Sequence, residues 1–199
     1  MKKESEAIKR LTNIQSKVSC HYLIKNDGEI VVMVPDLYEA WHAGISYWKN
    51  FKSLNKSSIG IEISNPGHNS NYKKFSKKQI QSLKKLSKYL IRKYKINQKN
   101  ILGHSDIAPS RKSDPGEYFN WKELSKSGLA LFPEASSPMN CDKTFFLAHA
   151  ERAGFNPEAS LEEILKTFRN RSRPNFRGPF DGYDCASMQK FADAFDVDE

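Results

Sequence analysis

The stretch GHSDIAPSRKSDPG, residues 103–116, sets one His, two Asp, one Arg and one Lys between two glycines and interrupts them with two prolines. Proline lacks a backbone N–H and fixes φ, so the segment does not read as a regular helix or a central strand. His104 is expected to close a short strand, NILGH at 100–104, with Asp114 following on an irregular loop. A neutral imidazole and a carboxylate are both zinc donors. Lys112 and Asp114 are two residues apart, which puts them on one side of an extended segment. A cation beside a metal-bound carboxylate suits a place where an oxyanion develops. The alternative is that His104 and Asp106 are ordinary loop caps and that Lys112 and Asp114 are solvated.

Upstream of this loop the periodicity is that of strands and one long helix. VSCHYLIKNDGEIVVMV reads as a hairpin, two β-rich runs about Asn26-Asp27-Gly28. SSIGIEISN, 57–65, reads as a third strand in which Ile59, Ile61 and Ile63 alternate with Gly60, Glu62 and Ser64. Period two then turns Glu62 to the face opposite the isoleucines, toward a cleft. Ser76 and Gln79 form a capping box, with Phe75 and Ile80 as a hydrophobic staple. Ile80, Leu83, Leu86, Leu90, Ile91 and Tyr94 follow at helical spacing. This helix is expected to cover the isoleucine face of the sheet.

Downstream the character changes. LFPEASSPMNC, within 131–142, lacks periodicity and reads as a linker. Three short amphipathic helices are expected beyond it, at about 143–153, 160–171 and 184–195, the second opened by a Ser160–Glu163 capping box. The fold class read from this pattern is α/β: a mixed central sheet flanked by helices, then a small all-α module. The expected domains are 1–133 and 140–199.

The 199 residues carry a net charge of +9, unevenly spread. Residues 1–100 hold 20 Lys and Arg against 7 Asp and Glu; residues 101–199 hold 12 against 16. A basic face for an anionic partner is one reading. The other is solvated helix surface, and SKKQIQSLKKLSKYLIRKYK does set its lysines opposite an apolar stripe. Neither a recognition helix nor a stacking motif accompanies the charge, so no nucleic-acid partner is expected. No run approaches the eighteen apolar residues of a membrane span, and the N-terminus has no apolar core of a secretory signal. The three cysteines, Cys20, Cys141 and Cys185, form no C-x-x-C and are odd in number. Neither a zinc ribbon nor a disulfide framework is therefore expected, and Cys20 reads as a buried small hydrophobe.

The motifs VSCHYLI, AWHAGIS, SIGIEI, ILGHSDIAPSRKSDPG and FNW occur in an order that resembles the zinc-dependent N-acetylmuramoyl-L-alanine amidases of the AmpD and AmiD type, relatives of the peptidoglycan recognition proteins. The resemblance covers about residues 8–133. The final residues, from ILKTF to ADAF, resemble the three-helix peptidoglycan-binding module attached to AmiD-type enzymes. The resemblance implies Zn2+ held by two His and one Asp, the later His falling on His104 and the Asp on Asp114. It implies Glu62 as general base and Lys112 as oxyanion stabiliser. Trp41 and His42 would wall the substrate cleft, while His21 reads as a satisfied sheet histidine.

The family's first metal-binding His lies on an opening strand about twenty residues before the HYLI motif. None of the twenty residues before His21 is a His. An N-terminally incomplete amidase domain is therefore expected, either as a fragment or as a degenerate relative that binds without cutting. The implied reaction is hydrolysis of the amide between N-acetylmuramic acid and L-alanine in peptidoglycan or muropeptides. The implied partner is that polymer or its fragments, the protein acting as a monomer. The helical module points to the cell envelope, periplasm or exterior, with the cytoplasm as the alternative.

Overall fold

A computed structural model of the chain describes residues 4–195. In chain order the elements are α1 (Glu4–Thr12), β1 (Tyr22–Ile24), β2 (Ile30–Val32), β3 (Tyr47–Trp48), β4 (Phe51–Lys52), β5 (Ile61–Ile63), α2 (Lys77–Tyr94), α3 (His104–Ile107), α4 (Trp121–Lys126), α5 (Lys143–Ala153), α6 (Leu161–Ser172) and α7 (Gly182–Asp193). They form two compact units. One comprises Met1–Ser46 with Ser53–Leu90; the other comprises Tyr47–Lys52 with Ile91–Glu199.

In the first unit β1 is the central strand. It runs antiparallel to β2, with Leu23 opposite Val31, and parallel to β5, with Leu23 opposite Glu62. The mixed sheet expected from the pattern is present. All three β1 residues are buried, as an apolar YLI run requires. The hairpin turns where Asn26-Asp27-Gly28 signals it, and Gly28 supplies the positive φ of 89°. α2 begins with the expected capping box: Ser76 Oγ accepts from the Gln79 N–H, and Gln79 Oε1 accepts from the Ser76 N–H. Ile80, Leu83, Leu86 and Leu90 are buried along one stripe. Gln79 Nε2 donates to Ser64 O and Ser82 Oγ to Gly28 O, fastening the helix to the end of β5 and to the hairpin turn.

The third strand is shorter than 57–65. Residues 54–56 form a single 3-10 turn, and Ser58 Oγ donates back to Leu54 O, so pairing begins only at Ile61. The expected strand at 100–104 does not form. His104 instead opens the short helix α3, because Asp106 accepts the Gly103 N–H at 2.6 Å and closes a turn there.

The second unit contains the β3–β4 hairpin and everything from Ile91 onward. Helices α5, α6 and α7 fall at the expected places, α6 with its Ser160–Glu163 capping box. Phe146, Phe155, Phe168 and Phe191 are fully buried between them. Their rings meet edge-on or tilted, with Phe155 and Phe168 6.4 Å apart and Phe168 and Phe191 5.6 Å apart, the arrangement aromatic quadrupoles favour. Trp48 of β3 joins this cluster 5.1 Å from Phe155. Gly154 ends α5 at φ 119°, and its N–H is satisfied by the last carbonyls of the helix. A Cβ there would lie 2.9 Å from Lys49 Cγ, so the close approach of the hairpin needs glycine. The segment 131–142 is irregular, as expected, but held: Lys190 Nζ donates to Glu134 O and Met139 N–H to Gly182 O. The compact units do not divide at residues 133–140. Residues 1–3 and 196–199 of the expected domain ranges lie outside the described residues.

The cysteines correct the sequence reading. Cys141 and Cys185 form a disulfide across Cα atoms 6.5 Å apart. An odd count argued against a framework, but one buried thiol removed from three leaves a pair. The packing of α5 on α7 brings together cysteines that are 44 residues apart in sequence. Cys20 is the free one and is fully buried, as expected. Burial, and after it the charge of Glu62, push its thiol up to about 12 against a smaller opposing effect of a backbone hydrogen bond. A thiolate is the reactive form. Native protein without reductant is therefore expected to give no reaction with a thiol reagent at pH 8, and one equivalent after unfolding in urea. A full equivalent from the native state within minutes would overturn the burial, and three equivalents after unfolding would overturn the pairing.

Candidate functional site

The loop after α3 returns toward the helix. The Ser105 N–H donates to Asp114 O at 2.9 Å, and the Arg111 and Lys112 N–H groups both donate to Ala108 O. These bonds bring Asp114 back beside His104, ten positions earlier in the chain. His104 Nδ1 lies 3.1 Å from Asp114 Oδ2. An ionised carboxylate only accepts, so Nδ1 carries the proton of that bond. On the other side of the ring, Arg111 Nη2 stands 3.5 Å from Nε2. Sequence reasoning did not single out Arg111; its place directly before Lys112 was the available signal. Burial pushes the Asp114 carboxyl up, but the hydrogen bond and charge of His104, its own backbone and the charge of Lys112 outweigh this. The carboxyl is held below its ordinary value of 3.8. Asp114 is thus a carboxylate at neutral pH, oriented against an imidazole on a loop that also carries two cations.

That donor chemistry suits a borderline metal ion such as zinc, which takes imidazole nitrogen and carboxylate oxygen. The number of donors does not suffice. Among the described residues no group of three His, Cys, Asp or Glu side chains is placed to hold a metal ion. His104 and Asp114 make a pair, one short of the three protein ligands a catalytic zinc usually has.

The remaining candidates belong to the first unit. Glu62 is exposed at the middle of β5. Trp41 is 44% exposed and lines a shallow depression with Ile14, Gln15 and Lys17. Its backbone is fixed on both sides: its N–H donates to Ser19 Oγ and its carbonyl accepts from the Ser19 N–H. The His42 ring lies against Gly60, where a Cβ would come within 2.3 Å of Cγ. Its Nδ1 contacts Ala40 O at 2.8 Å and its Nε2 contacts Ser58 Oγ at 2.9 Å. His42 is therefore half-buried and held at both ring nitrogens. His21 is fully buried; its Nδ1 accepts the Gly60 N–H and its Nε2 donates to Tyr38 O. It is the satisfied sheet histidine expected from the sequence, with both nitrogens committed to the backbone. His104, Lys112 and Asp114 belong to the second unit.

A family model described as N-acetylmuramoyl-L-alanine amidase, Amidase_2, matches residues 1–117. The chain is 37% identical over 178 residues to N-acetylmuramoyl-L-alanine amidase AmiD of Escherichia coli K12, covering 82% of this chain and 62% of that protein. It is 43% identical over 105 residues to 1,6-anhydro-N-acetylmuramyl-L-alanine amidase AmpD of the same organism, covering 53% and 55% respectively. The chain thus spans about three fifths of the length of these curated relatives. Among solved structures, AmpDh3 from Pseudomonas aeruginosa superposes with a TM-score of 0.88 at 28% identity, covering 97% of this chain and 88% of that one. AmiD from E. coli, in complex with the substrate anhydro-N-acetylmuramic acid-L-Ala-D-gamma-Glu-L-Lys, superposes with a TM-score of 0.80 at 31% identity over 96% of this chain and 83% of that one.

Proposed function

As the chain belongs to the N-acetylmuramoyl-L-alanine amidase family, we propose that it hydrolyses the amide between the lactyl group of N-acetylmuramic acid and L-alanine in peptidoglycan fragments. The observation that carries this reading is the His104–Asp114 pair, on the loop where the family match ends. We assign zinc as the cofactor. His104 and Asp114 are the residues that would hold it. When bound, zinc polarises a carbonyl and makes water acidic. Glu62 is assigned to take the proton of the attacking water and to pass it to the leaving amine of alanine. The Lys112 ammonium is assigned to the developing oxyanion. Trp41 offers an exposed aromatic face, and half-buried His42 a fixed ring, for the sugar and the stem peptide.

Residues 140–199 are proposed to bind the polymer, a role supported by their resemblance to a peptidoglycan-binding module. The Cys141–Cys185 disulfide supports the envelope or exterior as the compartment, because such bonds persist where thiols are oxidised. No helix among the described residues is long and apolar enough to cross a membrane.

The test is incubation with anhydro-N-acetylmuramyl tripeptide and zinc, followed by mass spectrometry. Release of a peptide with a free L-alanine amine is expected. Retention of the muropeptide on the immobilised protein without release would replace hydrolysis by binding alone. Neither release nor retention would sink both.

A further inference from the structure

We propose that Arg171, on α6, is a positioning residue for the His104–Asp114 pair, so that the C-terminal helices hold the candidate reaction loop in shape besides any binding they do. The proposal rests on the reading of that pair as functional. Arg171 is 1% exposed, the largest fully buried side chain among the described residues. Its guanidinium fork reaches three separate points of the chain. Nη2 donates to Asp106 Oδ2 at 2.5 Å and to Ile101 O at 3.2 Å, while Nη1 donates to Leu131 O at 3.1 Å. The plane rests on the Trp121 ring, 3.6 Å from its centroid.

The Asp106 oxygen that receives Arg171 also accepts the Gly103 N–H. That bond starts the turn on which His104 stands. Gly103 is enclosed from the other side: a Cβ there would lie 2.7 Å from Pro115 Cδ and 3.3 Å from Trp121 Cζ2. Pro115 follows Asp114 directly. One cation therefore ties the residue before His104, the residue two after it, and the aromatic wall that confines both Gly103 and Arg171. A buried ion pair is a weak net stabiliser compared with apolar packing of the same volume. What a planar five-donor fork supplies is direction, which the rotatable ammonium of a lysine does not.

The experiment compares wild type, Arg171→Met and Arg171→Lys by amide hydrogen exchange and by muropeptide kinetics. In Arg171→Met the Gly103 and Ser105 amides are expected to exchange at least about tenfold faster, while α2 amides are unchanged and those of α5 and α7 nearly so. Turnover is expected to fall by about 10–100-fold with KM within about twofold, since a displaced catalytic group costs rate more than binding. Arg171→Lys keeps the charge but not the fork, and is expected to fall between the two. It also carries the test should the Met variant not fold. Exchange at Gly103 that matches wild type overturns the proposal, and so does a uniform acceleration across the second unit, which marks a merely structural role. The exchange readout needs no substrate. Faster Gly103 exchange in a protein whose wild type cleaves nothing would support the clamp and dismiss the amidase reading separately.

Discussion

Glu62→Ala is expected to lower muropeptide turnover by about 100-fold or more while leaving the fold and the metal content of the wild type unchanged. Glu62 sits exposed at the centre of β5, with Leu23 of β1 as its partner in register. Substitutions at such positions usually shift stability by no more than about 0.5 kcal/mol. A loss of activity in a variant with the wild-type melting temperature would then be a loss of chemistry. Glu62 also raises the Cys20 thiol, so its removal is expected to bring that thiol down. Asp114→Ala should behave in the opposite way, losing bound zinc along with activity. Turnover of Glu62→Ala within about threefold of wild type would remove it from the general-base role, because removing a positioned acid or base typically costs about 100-fold or more.

What could be read from the sequence was whatever local chemistry decides. The Asn26–Gly28 turn, the Ser76–Gln79 box and the Ser160–Glu163 box each involve groups within four residues of one another, and all three formed. The mixed sheet followed from one tight turn and one alternating run. His104 and Asp114 were legible as a pair because their loop could do little else with its prolines, and a separation of ten positions is a short loop to close. Three features were not legible. His104 opens a helix because Asp106 is bound from both sides, and one of those sides is Arg171, 65 positions away. The disulfide needed the packing of α5 on α7 to become visible. The hairpin at 47–52 joins residues from 91 onward because Trp48 fits the phenylalanine cluster, which nothing in YWKNFK announces. In each case the missing information was a partner distant in sequence, not a property of the segment itself.

Asp184→Ala is expected to destabilise the second unit by about 3–5 kcal/mol, the range for breaking a buried ion pair from one side. Asp184 is completely buried at the first turn of α7. Its Oδ1 accepts from Arg169 Nε at 3.0 Å and from Arg173 Nη1 at 2.9 Å. Its Oδ2 accepts from Arg169 Nη2 and from the Asp181 N–H, which completes a capping box, since Asp181 Oδ1 in turn accepts the Asp184 N–H. One carboxylate thus pairs with two guanidinium groups, the second of them shared with Asp181, and fixes the start of a helix. Removing it leaves Arg169 nine-tenths buried, with Gly178 O and Pro179 O as remaining acceptors and no counter-charge at the site it faced. Arg173 keeps Asp181, so the deficit falls on Arg169. Asp184→Asn preserves the shape and one acceptor but not the charge, and is expected to cost less than Ala. The double variant Asp184→Leu/Arg169→Met should recover much of the loss, because apolar packing replaces a pair that is costly to desolvate. Urea titration followed by circular dichroism, with the Cys141–Cys185 bond kept oxidised, measures all three. A cost below about 1 kcal/mol for Asp184→Ala would place it in the range of an exposed pair. In that case the buried network around α6 and α7 would not be what holds these helices together.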